Sequence, residues 1–135
     1  MTINNTPFLR NVLLADAAVG GAAALLTIAG AGLLAPLLGL PRPLIFWAGV
    51  ALLPIVVLLV SMARRPTVPR GWLREIVLIN ALWVIASVGI LVFGLVTPNL
   101  LGVAFIVAQA LAVGFFAALQ FSALRQARPA IREAF

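Results

Sequence analysis

The stretch VLLADAAVGGAAALLTIAGAGLLAPLL, residues 12–38, decides the fold. A helix needs about 20 apolar residues to cross the hydrocarbon core of a bilayer, and this run exceeds that length with a single ionisable group, Asp16. Three further runs follow, from Leu44 to Ala63, Ile76 to Val96 and Leu100 to Leu124. None alternates strictly, two are rich in alanine and glycine, and a membrane barrel needs about eight strands or more. The expectation is an all-α fold of four transmembrane helices, at 12–38, 44–63, 76–96 and 100–124, forming one membrane domain over residues 1–135.

Composition agrees. Of the 135 residues 64% are hydrophobic and 9% charged, whereas soluble domains carry about 45–50% and about 25%. So few charges cannot clothe a water-facing surface, so lipid must cover most of it.

The connections are short. Pro36 to Pro43 ends the first helix and turns the chain, because proline disfavours helix in the residue before it. Thr97-Pro98-Asn99 is a tight turn. Arg64 to Arg74 is the longest and most basic connection, with Trp72 expected at headgroup level. The chain therefore reads as two helical hairpins joined by a basic loop. Pro54 interrupts the second helix and is expected to kink it.

Orientation follows from the arginines, which are the only basic residues. With four spans, Arg10, Arg64, Arg65, Arg70, Arg74, Arg125, Arg128 and Arg132 fall on one side, and Arg42 alone on the other. Arginine-rich segments stay cytoplasmic, which puts both termini inside. A cleaved signal peptide is the alternative for the first run, since Ala29-Gly30-Ala31 resembles a cleavage site. The run is much longer than a signal's apolar core of about 7–15 residues, so a retained helix is expected.

The net charge of +6 raises nucleic acid as a partner. The arginines sit at loops and ends with no aromatic residues interleaved, which argues against a nucleic-acid groove. They are instead placed to meet lipid headgroups, with Arg64, Arg65, Arg70, Arg74, Arg125 and Arg128 as the contact set. Cysteine, histidine and tyrosine are absent, which removes the usual ligands of zinc, iron–sulfur clusters and haem. No metal or cofactor is expected. Ser61, Ser87 and Ser122 have no histidine or lysine to serve as base, so an enzyme is not expected.

Asp16 remains. Counting from Arg10 at about 1.5 Å per residue, it lies about 9 Å along the helix, where an acidic group is costly and should face the protein interior or water. Asn80, Gln120 and Ser61 stand at comparable depths from Arg74, Arg125 and Arg64, so each helix offers one hydrogen-bonding side chain to a common layer. Helical stripes extend it: Asp16, Gly20, Ala23, Thr27 and Ala31 on the first helix, and Trp47, Pro54 and Ser61 on the second. The third carries Asn80, Ser87 and Gly94, and the fourth Gln109, Phe116 and Gln120. Together with Trp83, the residues Asp16, Ser61, Asn80, Gln109 and Gln120 form the candidate polar cluster or ligand pocket. Leu13-Leu14-Ala15-Asp16-Ala17 and Val77-Leu78-Ile79-Asn80-Ala81 also align without gaps, as an internal duplication with parallel halves would produce.

Leu14-Ala15-Asp16-Ala17-Ala18, Gly39-Leu40-Pro41, Leu52-Leu53-Pro54, Asn80-Ala81-Leu82-Trp83-Val84 and Ala108-Gln109-Ala110 resemble small four-helix proteins of bacterial inner membranes. That resemblance implies a bacterial inner-membrane location and assigns no activity. Small multidrug pumps also have four helices, but they carry a membrane glutamate among tyrosines and tryptophans, whereas this chain has no tyrosine. Two functional readings follow. The first is a non-enzymatic structural or accessory subunit, either homo-oligomeric or part of a larger membrane complex. The second is a small carrier or binding protein for a lipophilic or cationic ligand, with Asp16 as its protonatable group.

Overall fold

The structure, a computed structural model, describes residues 2–126. Four helices carry the fold: α1 (Pro7–Leu38), α2 (Arg42–Ala63), α3 (Arg70–Val92) and α4 (Leu100–Gln126). All four are long and apolar enough to cross a membrane. Large apolar side chains stand exposed on each of them, among them Leu25, Leu33, Val57, Leu82, Leu111 and Phe115. This is the pattern of a multi-pass membrane protein.

The helix ends differ from the expected ones. α1 begins at Pro7 rather than Val12, because Thr6 caps it, accepting from the Leu9 amide at 3.2 Å, and Pro7 suits the first helical turn. α2 begins at Arg42 rather than Leu44, with Pro43 in its first turn. α3 begins at Arg70 rather than Ile76, so Arg70, Trp72 and Arg74 lie on a helix and the basic connection shrinks to residues 64–69. α3 also stops at Val92, short of Val96, whereas α4 runs on from Leu124 to Gln126. Arginines interrupt hydropathy without interrupting helix, since their backbone propensity is good.

An all-helical expectation also misses two short strands. β1 (Thr2–Asn4) pairs antiparallel with β2 (Thr67–Pro69), Ile3 opposite Val68. Both of these side chains are fully buried, packed with Leu9, Leu13, Leu59, Met62, Leu73 and Ile76 in an apolar core at the end where α1 and α3 begin. Asn5 fastens the ribbon. Its Nδ2 lies 3.3, 3.0 and 2.8 Å from the carbonyls of Met62, Ala63 and Arg65, and Arg10 Nε donates to Ala63 at 3.1 Å. Carbonyls at the end of a helix have no partner within it, and these two side chains supply one.

A second apolar core, with Ala31, Leu38, Leu40, Ile45 and Ile106, closes the opposite end. There α1 stops at Gly39, whose φ of 69° is the left-handed conformation glycine adopts without strain. Asn99 ties the α3–α4 turn to it. Its Nδ2 donates to the Leu37 carbonyl at 2.9 Å, and its Oδ1 accepts from the Gly102 amide at 2.8 Å, capping α4.

α1 packs chiefly on α2 and on α4, and α3 on α4, while α2 and α3 are not closely packed on each other. Two glycines permit the tightest approaches. A Cβ at Gly49 would collide with Thr27 Oγ1, and one at Gly102 with the Leu38 carbonyl. Small residues of this kind let membrane helices bring their backbones together.

Candidate functional site

Between the two apolar cores lies a polar layer. Asp16 on α1, Asn80 on α3 and Gln120 on α4 are all buried, Gln120 completely. Asn80 Nδ2 donates to Asp16 Oδ2 at 3.0 Å and to Gln120 Oε1 at 2.8 Å, and Gln120 Nε2 donates to the same Asp16 Oδ2 at 2.6 Å. Three helices are thus joined through one carboxyl oxygen. The amide orientations follow from the network, since turning either amide over would set acceptor against acceptor.

A second string begins one turn further along α3. Trp83 Nε1 donates to Gln109 Oε1 at 2.7 Å, Gln109 Nε2 to Ser87 Oγ at 2.9 Å and to the Ile106 carbonyl at 2.9 Å, and Ser87 Oγ to the Trp83 carbonyl at 2.7 Å. Both strings belong mainly to the α3–α4 hairpin, and α1 joins them only through Asp16.

Cavities flank the strings. One of about 70 Å³ is lined by Asp16, Asn80, Trp83, Gln109, Phe116 and apolar residues of α1, α2 and α4. The other, about 430 Å³, is a cavity open at the surface between α2 and α3, lined mainly by apolar side chains, among them Leu44, Trp47, Ile90 and Phe105. Ala23, Leu52, Trp83 and Gln109 line both, so the two spaces abut at the Trp83–Gln109 pair.

Five of the six candidate cluster residues therefore come together, Asp16 with Asn80 and Gln120, and Trp83 with Gln109. Ser61 does not. It is exposed on the outer face of α2 and donates at 2.7 Å to the Val57 carbonyl of its own helix. A hydroxyl can satisfy itself one turn back in a helix, so depth alone does not oblige it to face inward. The stripe that contained it, Trp47, Pro54 and Ser61, is exposed throughout. On α3, Gly94 lies beyond the helix end, while Ser87 takes part in the Gln109 string. Ser87 stands seven residues after Asn80 and four after Trp83, a spacing that places it on their face.

Among the arginines, Arg64, Arg65, Arg74 and Arg125 are exposed and Arg70 is half-buried, all at the end closed by the ribbon. Arg125 lies 5.8 Å from the ring centre of Phe121. Arg128 and Arg132 lie outside the described residues. Among the described residues no grouping of acidic side chains could hold a metal ion. Comparison with known protein families, with curated proteins and with solved structures finds no match to this chain.

Proposed function

We propose that this chain is a non-enzymatic multi-pass protein of the bacterial cytoplasmic membrane, with both ends inside, that binds a lipophilic small molecule between its helices. The observation that carries the reading is the cavity of about 430 Å³ between α2 and α3. Ligand sites fall at about 300–1,000 Å³ and are mostly apolar with a few fixed polar groups, which here are Trp83, Gln109 and Ser87. The arginine distribution, eight against one, supports the orientation. The resemblance to small inner-membrane proteins supports the location.

The test uses a protein in which Trp47→Phe and Trp72→Phe leave Trp83 as the sole indole. A bromo-terminated medium-chain alcohol is titrated into it. Saturable quenching of Trp83 is expected, and Ala48→Leu with Ala86→Leu, which fill the cavity, should abolish saturation. Linear quenching that is identical in both proteins would reduce the cavity to a gap that lipid tails fill without selectivity.

A second reading, a structural or accessory subunit, draws on the Asp16 bonds themselves. A carboxyl gripped by two amides from other helices is a device for joining helices in lipid. Purification as a monomer with no co-purifying membrane partner would count against it.

A further inference from the structure

The polar groups around the smaller cavity are unevenly used. Both bonds to Asp16 arrive at Oδ2, and among the described residues Oδ1 has no hydrogen-bond partner, although Asp16 is only 6% exposed. Asn80 is in the same position. Its Nδ2 engages two acceptors, whereas its Oδ1 accepts from none of the described residues. The donors are engaged: Trp83 Nε1 reaches Gln109, and Gln109 Nε2 reaches both Ser87 and Ile106. With Asp16 ionised, what the lining still offers is acceptor oxygen, one atom of it on the carboxylate.

Buried polar groups are ordinarily paired, so unused acceptors beside a cavity describe the group that would complete them. That group carries donors and no acceptor. A primary ammonium fits and is the most compact cation that does, having three N–H donors, no lone pair and a charge opposite to a carboxylate's, whereas a guanidinium brings the same chemistry in a larger planar group. A hydroxyl or amide head would bring acceptors with nothing to meet them. No arginine among the described residues lies within ion-pair distance of Asp16 to supply the charge from within the chain. Trp83 and Phe116 line the same space, and aromatic faces attract cations.

The surroundings say how such a head arrives. Ile3, Leu9, Leu13, Val68 and Leu73 close the arginine-bearing end above Asp16, while the larger apolar cavity abuts the smaller one along the loosely packed α2–α3 side. We propose that the Asp16–Asn80 compartment takes the ammonium head of a lipophilic primary amine whose tail occupies the α2–α3 cavity. This assignment rests on the binding reading above and names its ligand class.

The experiment compares a primary alkylamine, the alcohol of the same chain length and sodium ion alone, titrated into the purified full chain at neutral pH with calorimetry as readout. The amine should bind about tenfold tighter than the alcohol, the factor that about 1.4 kcal/mol of head-group interaction produces. Asp16→Asn should bring the amine to the alcohol's affinity, with thermal unfolding checking that the variant is folded. Amine and alcohol binding alike in the unaltered protein would overturn the head-group assignment while leaving the cavity reading intact. Failure of both to bind would overturn the cavity reading itself. Saturable sodium binding with no amine preference would make the compartment an inorganic cation site and overturn the proposal.

Discussion

Asp16 and Asn80 are hydrogen-bonded to each other at 3.0 Å, and they hold the same place in two aligned pentads, residues 13–17 of α1 and 77–81 of α3. The residues an internal duplication would make equivalent are thus partners across the interface between the two hairpins. Gln120 stands outside the correspondence, because its counterpart 64 positions earlier is Val56. The carboxyl comes from one half of the chain and both amides from the other.

Replacing Asp16 with leucine should therefore cost more than the loss of a single contact. Asn80 and Gln120 would keep their N–H groups buried without the common acceptor, and each such group costs about 1–3 kcal/mol. Asp16→Asn keeps an acceptor at the same place and should unfold close to the unaltered protein. Denaturation in mixed micelles compares the two; equal losses would show that the amides find other partners.

Asn80→Leu and Gln120→Leu should combine non-additively. Each removes a bond to Asp16 and the bond they share, so either one alone already breaks the network. A coupling energy of about 0.5–3 kcal/mol is expected from the double-mutant cycle. Additive losses would mean that the three side chains act as separate contacts.

Gly102→Ala and Gly89→Ala should move stability in opposite directions. A methyl group at Gly102 meets the Leu38 carbonyl, a backbone atom that cannot rotate away, and overpacking of this kind costs about 1–3 kcal/mol. At Gly89 nothing lies within 4 Å, so alanine contributes only its better helix propensity, at most about 1 kcal/mol. A neutral Gly102→Ala would refute the close approach of α4 to the end of α1.

Since the chain has no cysteine, single introduced thiols can report orientation. Gly71→Cys, exposed at the arginine-bearing end, should resist a membrane-impermeant maleimide in intact cells and react once the membrane is opened. Thr97→Cys, exposed at the other end, should react from outside. The reverse pattern would invert the proposed topology.

The hairpins were legible because hydropathy is a property of long segments, and Asp16, Asn80 and Gln120 because the count from flanking arginines sets their depth. What the sequence concealed was local or distant. Ser61 satisfies itself within one turn, which no count of depth reveals. Arg10, Arg70 and Arg74 ended the apolar runs without ending the helices. Thr2–Asn4 and Thr67–Pro69 are too short to show alternation, and their pairing joins segments more than 60 positions apart. Nothing in the sequence singles out Asn5, because its partners are backbone carbonyls, which leave no mark there.

The ribbon also bears on biogenesis. The carbonyls that Asn5 Nδ2 reaches and the strand that pairs with β1 lie between Met62 and Pro69, so these bonds can form as soon as residue 69 has left the ribosome. Asp16 has no such early partner, for its amides arrive with α3 and, last of all, with α4. A nascent chain stalled after residue 69 would be a latched hairpin with a bare acid turned toward lipid. Membrane quality control is thereby given a mark that disappears only on completion, and such a fragment should be degraded faster than the same fragment carrying Asp16→Leu.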